Sequence, residues 1–326
     1  MMRFSRFGVI VLLSFTVLIG SNCSYYNRVM ARKNLVDGSK AYKDRKFPEA
    51  EEKFRMAVAR DPNGDYVEGK TAQLFLARTI HSEFIGNRQD KSKAEAAIAE
   101  YQKALKQNPQ DQSSYKAIAS LYENLQRPDD WLNWVTKRAN DSSLPPEQRA
   151  EALTSLAAKK NTCANDITDT EQTKKTITKD GKQAFQFVKP AKPEDYETLK
   201  KCIDEGTQLI DQAMALEPAE VKNAKSFDVK GAKDDELKKK LDLFKVFESA
   251  RSYKASLLIQ AMRLAEMDNR MPDKDRLKAE SDAARAAFLE LSDVVKKIQA
   301  EIDDRAAAAE AAKSGDSNSG ANSNKK

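Results

Sequence analysis

The residue types that most often perform catalysis are scarce or unfavourably placed in this chain. Its 326 residues include one histidine, His81, which excludes zinc sites and acid–base pairs that need two histidines. Neighbouring carboxylates such as Glu51-Glu52 and Asp303-Asp304 lie among lysines on predicted helices, a pattern typical of a solvated helix face. The sequence has no glycine-rich phosphate loop, nucleophile elbow or calcium-loop spacing. We therefore predict no catalytic residue, no metal site, no cofactor and no small-molecule substrate.

Cys23 is the cysteine whose surroundings indicate chemistry. Basic residues precede an uncharged apolar run over residues 8–20, as in a bacterial export signal. The stretch that ends at Cys23 resembles a lipobox, in which the cysteine receives lipid, although Asn22 stands where Gly or Ala is usual. Three interpretations stay open for residues 1–23: a lipoprotein signal, a simple cleaved signal and a retained N-terminal anchor. Each predicts export, and two of them predict a membrane-anchored protein that faces the periplasm or another extracytoplasmic space.

Helices are the elements that must position these side chains. The chain is 40% hydrophobic, 33% charged and 7% aromatic, with only 11 Gly and 10 Pro, which favours an all-α fold over a sandwich or barrel. Its 56 basic and 50 acidic residues are mixed along the chain and leave a net charge of +6. A nucleic-acid interface needs clustered Lys and Arg with stacking aromatics. We therefore expect no nucleic-acid partner.

One set of spacings recurs along the chain and is typical of helical hairpins. Gly38 is followed by Ala50, Phe54, Ala57 and Pro62 in the pattern G-x11-A-x3-F-x2-A-x4-P. The second-helix part of this pattern returns at Ala97, Tyr101, Ala104 and Pro109. The chain thus resembles the tetratricopeptide repeat (TPR) family, which implies a right-handed α-solenoid of helix-turn-helix repeats over residues 30–303. We expect hairpins at about 31–62, 69–109, 112–140, 147–218 and 236–303.

Two segments depart from this repeat pattern. Residues 164–193 interrupt the fourth hairpin, and within them two short strands are predicted around the Asp-Gly pair at 180–181, a preferred hairpin turn. We expect Ile177, Phe185 and Phe187 to pack this small inserted β-hairpin against the helices; a disordered loop is the alternative. Residues 306–326 begin with alanines that extend the last helix and end in Ser, Gly, Asn and Lys, which predicts a disordered C-terminal tail.

Cys163 and Cys202 lie on opposite sides of the insertion. In a helical hairpin the end of one helix neighbours the start of the next, so the two sulfur atoms could meet at the base of the inserted segment. An exported location would favour their oxidation. We predict a disulfide between them; two separate, half-buried thiols are the alternative.

Stacked hairpins create a concave groove along their first helices, which suits an extended peptide or a partner helix. The groove positions of the family fall in this chain on Tyr42, Arg78, His81, Lys116 and Glu123. Tyr42, Arg78 and Lys116 are the expected anchors, because Tyr and Arg dominate binding hot spots and Lys can pair with a carboxylate. The alternative is that all five are ordinary solvent-facing helix residues.

These observations predict an exported, non-enzymatic TPR scaffold that binds a protein or peptide partner in its concave groove at the bacterial cell envelope. The chain resembles bacterial cell-envelope TPR lipoproteins, some of which assist outer-membrane assembly or secretion, and this resemblance implies an accessory role in such a complex. Two alternatives stay open. One is an envelope enzyme or enzyme subunit that uses the 164–193 insertion, and the other is a structural envelope spacer without a specific groove.

Overall fold

The computed structural model describes the backbone of residues 6–179 and 181–319 and the side chains of residues 24–178 and 181–312. The side chain of Cys23, the predicted lipidation site, lies outside the described residues. Within the described part, no helix is both long enough and apolar enough to cross a membrane. The chain divides into two compact units, residues 1–131 and residues 132–326.

The first unit consists of antiparallel helices joined by short turns. Its elements are α1 (Arg6–Lys43), α2 (Phe47–Arg60), α3 (Val67–Gly86), α4 (Lys91–Gln107), α5 (Gln112–Asn124) and the start of α6 (Pro128–Asn140). Helix α1 packs on α2, α3 packs on α4, and α2 also contacts α3. The boundary between the two units falls within α6, after Trp131.

Small residues set the distance between the helices of the first hairpin. A Cβ atom added to Gly38 of α1 would lie 2.8 Å from the ring of Phe54 on α2, closer than such atoms normally approach. Phe54 is completely buried between Ala50 and Ala57, which are one turn away on either side and are also buried. The Gly–Phe spacing of the sequence therefore reflects a close helix crossing.

The second unit contains longer helices and the inserted sheet. Its elements are the rest of α6, α7 (Pro146–Thr168), β1 (Lys174–Lys179), β2 (Lys182–Phe187), α8 (Pro193–Ala215), α9 (Ala219–Lys222), a short 3₁₀ helix (Ala224–Ser226), α10 (Asp234–Met267) and α11 (Met271–Ser319). Helix α7 packs on α8, and α10 packs on α7, α8 and α11. Gly206 permits the close approach of α8 and α10, since an added Cβ would lie 2.7 Å from Leu257.

The predicted all-α class with one small inserted β-hairpin is confirmed. The two strands pair antiparallel, from Lys174 opposite Phe187 to Lys179 opposite Lys182. Gly181 has a φ of +73°, the left-handed conformation that a two-residue hairpin turn requires and that glycine adopts without steric cost.

The alanines that begin the C-terminal segment extend the last helix, as the sequence predicts. Helix α11 continues past residue 306 and reaches Ser319, although residues 306–312 are all exposed. The reason is the alanine-rich composition of this stretch, because alanine has the highest helix propensity and needs no tertiary contact to favour the helix. Residues 320–326 lie outside the described part of the chain.

Candidate functional site

The five predicted groove residues all lie on the first helices of the hairpins in the first unit. Tyr42 is in the last turn of α1, Arg78 and His81 are on α3, and Lys116 and Glu123 are on α5. Tyr42, Arg78 and His81 are half-buried, whereas Lys116 and Glu123 are exposed. The half-buried three are therefore held by neighbouring side chains, and those contacts define the candidate site.

Phe75 brings Tyr42 and Arg78 together. The rings of Tyr42 and Phe75 meet edge to face with centroids 6.0 Å apart, and the guanidinium carbon of Arg78 lies 5.4 Å from the Phe75 centroid. Both geometries are favourable for an aromatic quadrupole. Tyr42, Phe75 and Arg78 form what we call the aromatic–arginine cluster. Sequence reasoning missed Phe75; its position three residues before Arg78, on the same helix face, was the available signal.

Hydrogen bonds hold both polar ends of this cluster. The Tyr42 hydroxyl lies 3.3 Å from the Ser82 hydroxyl, which joins the end of α1 to α3. Arg78 Nη2 donates to Ser113 Oγ at 3.0 Å, which joins α3 to the start of α5. The cluster therefore spans three successive first helices, and its side chains are ordered without a partner.

Asp111 caps the N-terminus of α5, next to Ser113, the residue that accepts the hydrogen bond from Arg78. Asp111 accepts hydrogen bonds from the backbone N–H of Ser114 and from the Ser113 hydroxyl. Burial alone would raise the pKa of Asp111, but these hydrogen bonds outweigh it and hold the pKa below its ordinary value. Asp111 is therefore ionised at neutral pH, and its charge stabilises the helix N-terminus.

His81 contacts its own hairpin. Its Nδ1 atom lies 3.3 Å from the Tyr101 hydroxyl on α4, and the two rings meet edge to face at 5.9 Å. Burial, and to a lesser degree the charge of Arg88, lower the pKa of His81 below its ordinary value, so the imidazole is neutral at pH 7. The roles of His81, Lys116 and Glu123 in partner binding stay predictions.

A cleft that the sequence did not indicate lies beside the cluster. It has a volume of about 640 Å³ and lies between α2, the end of α3 and the start of α4. It is lined by Phe47, Pro48, Glu51, Glu52, Arg55, Ser82, Glu83, Gly86, Asn87, Asp90 and Lys93. Two of its walls are α2 and α4, the second helices of their hairpins. The cleft is therefore distinct from the aromatic–arginine cluster and shares only Ser82 with the contacts of that cluster.

The charges in this cleft are satisfied within the protein. Lys93 Nζ lies 3.0 Å from a Glu51 oxygen and 2.5 Å from a Glu83 oxygen, and Arg55 pairs with Glu51 at 2.7 Å. The pair with Glu83 is the main cause that raises the pKa of Lys93. Burial would raise the pKa of Glu51, but Lys93 and Arg55 lower it overall. Of these ion pairs, the one between Lys93 of α4 and Glu51 of α2 joins the first two hairpins.

In the second unit, the inserted sheet is attached to the helices at its base. Cys163 of α7 and Cys202 of α8 are joined by a disulfide, with their Cα atoms 6.2 Å apart. Phe187, at the end of β2, is buried in the same apolar cluster as Cys202, together with Leu199 and Leu264. The Arg263 guanidinium lies over the Phe187 ring, 4.6 Å from its centroid. Phe187 is thus the residue that packs the hairpin against the helices.

The prediction that Phe185 also packs against the helices is wrong. Its side chain is 57% exposed, and it is covered only in part by Lys174, whose Nζ lies 4.4 Å from the ring centroid. Phe185 lies on the same face of β2 as Phe187 but two residues nearer the tip, roughly 7 Å beyond the buried base. Ile177, on the opposite face of the hairpin, is half-buried.

Among the described residues, no group of three or more His, Cys, Asp or Glu side chains is arranged to hold a metal ion. No protein-family model matches this chain. No curated protein matches it either. A solved structure described as the functional characterisation of pilF from Pseudomonas aeruginosa is similar over 84% of this chain and 99% of that chain, with 14% sequence identity and a TM-score of 0.32. That TM-score is too low for the likeness to support a conclusion about fold or function.

Proposed function

We propose that this protein is a helical-hairpin scaffold whose first unit binds a peptide segment of a partner protein along its first helices. The observation that carries the proposal is the aromatic–arginine cluster. Tyr42 and Arg78 are half-exposed, yet contacts with Phe75, Ser82 and Ser113 already hold them in place. Tyr and Arg are the residues most enriched in binding hot spots, and prior ordering reduces the entropy lost on binding.

The cluster also indicates the chemistry of the partner. The rings of Tyr42 and Phe75 would contact an apolar or aromatic side chain. Arg78 and the exposed Lys116 would pair with carboxylates, because a guanidinium can bind a carboxylate through two parallel hydrogen bonds. We therefore infer a peptide segment that combines an apolar residue with nearby Asp or Glu.

Affinity capture with matched variants tests this proposal. The full chain, immobilised, is exposed to detergent-solubilised cell envelopes, and bound proteins are quantified. We expect one stoichiometric partner that is lost with Tyr42→Ala plus Arg78→Ala. The control Met56→Ala plus Lys106→Ala removes exposed residues of similar character from the second helices and should retain the partner. If the partner binds the Tyr42/Arg78 variant and the control variant equally, the proposal that it binds through these two residues is refuted. If no stoichiometric partner is captured at all, the result favours a structural envelope spacer.

We further propose that the scaffold is exported, is anchored at the cell envelope through lipid on Cys23, and serves an assembly or secretion complex there. The support is the sequence of residues 1–23, with its basic start, its apolar run over 8–20 and its lipobox-like end. We expect labelling by a palmitate analogue that is lost in Cys23→Ser, and a mature chain that begins at Cys23. An intact Met1 on the membrane-bound protein would instead establish a retained anchor.

A further inference from the structure

The inserted β-hairpin has an open edge. Among the residues that the structure describes, β1 has only β2 as a strand neighbour. The bond from Val188 N–H to the Thr173 carbonyl, together with the register, shows which residues point inward. In an antiparallel ladder, residue pairs joined by hydrogen bonds alternate with pairs that are not. The pair of Thr173 and Val188 is hydrogen-bonded, so Thr176 and Thr178 belong to the other kind, and their N–H and C=O groups point away from β2. Both threonines are exposed.

The outer side of β1 is the more accessible of the two edges. The packing contacts of the hairpin with helix α10 are made by β2, where Phe187 is buried and Arg263 covers its ring. A strand added beside β2 would approach α10, whereas a strand added beside β1 would extend the sheet away from that contact. The disulfide and the buried Phe187 hold the base of the hairpin, so its edge is presented on a fixed support.

The charge around this edge indicates what it would bind. Between residues 173 and 192 the chain has one acidic residue and six lysines, at positions 174, 175, 179, 182, 189 and 192. Lys174 and Lys189 already form ion pairs with Asp169 and Asp268. Lys175, Lys182 and Lys192 are exposed. The lysines oppose the pairing of this edge with a second copy of itself and favour an acidic strand.

We propose that the outer edge of β1 receives an extended acidic segment of a partner protein as a third strand. Backbone hydrogen bonds to Thr176 and Thr178 would supply the attachment, as in other cases of strand addition. The surrounding lysines would select alternating Asp or Glu residues, and the β-branched residues between them would suit the pleated surface. This surface lies in the second unit and is independent of the groove proposed above.

A labelled peptide tests the proposal on the full chain. The probe is a fluorescein-labelled decapeptide of alternating Glu and Val, and fluorescence anisotropy measures its binding at low salt. Two comparison peptides have Lys in place of Glu, or N-methyl groups on alternate backbone nitrogens. We expect binding of the unmodified acidic peptide only, because the first change reverses the charge and the second removes the strand's hydrogen bonds.

Variants of the protein locate the edge. Thr176→Pro removes an outward N–H without removing a bond to β2, and it should weaken binding at least about fivefold, whereas Thr176→Val keeps the N–H and should bind normally. Lys175→Glu should also weaken binding, which keeps the test informative if the proline disturbs the hairpin.

Equal binding of the N-methylated peptide would overturn the proposal in favour of a merely basic surface. Loss of binding with Gln183→Pro, but not with Thr176→Pro, would overturn the choice of edge. A salt-resistant dimer abolished by Thr176→Pro would show that a second copy of the chain occupies the edge instead.

Discussion

The disulfide between Cys163 and Cys202 should be a major contributor to the stability of the second unit. The two cysteines are 39 residues apart, so the bond closes a loop that would otherwise be free in the unfolded chain. The chain-entropy model gives about 4 kcal/mol at 25 °C for a loop of this length. Cys202 is buried beside Leu199 and Phe187, so the bond also keeps β2 next to the apolar cluster. Replacing both cysteines with alanine should therefore lower the free energy of unfolding by about 4 kcal/mol.

Differential scanning calorimetry measures this effect as a change in melting temperature. A unit of roughly this size loses about 2–4 °C per kcal/mol, so the double variant should melt about 8–16 °C lower than the wild type. Reduction of the wild-type protein with a small dithiol should reproduce most of the change without altering the packing. The control is Cys23→Ser, which should leave the transition of the second unit in place.

Thiol counting provides the independent check. In denatured, unreduced protein, neither Cys163 nor Cys202 should react with a thiol reagent, and both should react after reduction. Modification of both residues before reduction would refute the disulfide. A double variant that melts within about 2 °C of the wild type would refute the stability argument even if the bond is present.

Three further results are expected. Gly38→Ala should lower the free energy of unfolding, measured with urea, by about 1–3 kcal/mol, because the added Cβ would meet the Phe54 ring. The control Gly86→Ala should leave this free energy nearly unchanged, because no atom lies within 4 Å of its added Cβ. Asp111→Ala should cost about 1 kcal/mol at pH 7. Since the pKa of Asp111 is lowered in the folded state, this stabilisation is present above the unfolded-state pKa and lost as the pH falls through the folded one, so the difference between variant and wild type should shrink below about pH 4. Removal of residues 306–326 should leave the melting temperature nearly unchanged, because residues 306–312 are all exposed; a drop of many degrees would contradict this.

Sequence reasoning was most reliable where one local contact explains a residue type. Gly38 is small because Phe54 lies against it, and the twelve-residue interval to Ala50 is a consequence of one hairpin's geometry. The inserted sheet follows from the turn chemistry around Gly181 in the same way. Such features depend on residues near each other in the chain, so their spacing carries the information.

The candidate site depended on contacts between hairpins. Phe75 lies three residues before Arg78, a spacing that places both on one helix face but does not indicate the contact of Phe75 with Tyr42 of the preceding hairpin. The pairing of Arg78 with Ser113 of α5 is equally invisible in the sequence. A helix side chain can meet several residues of a neighbouring helix, and the rotation and offset of the two helices decide which one it meets.

The inserted hairpin shows the division between sequence and tertiary structure most clearly. The alternation of residues in β2 puts Phe185 and Phe187 on one face, and that much follows from the sequence alone. Only the tertiary structure decided that Phe187 is buried among Leu199 and Leu264 while Phe185 remains 57% exposed. The physical reason is that the helices contact the hairpin at its base, where Phe187 lies, and leave Phe185, two residues nearer the tip, largely in solvent.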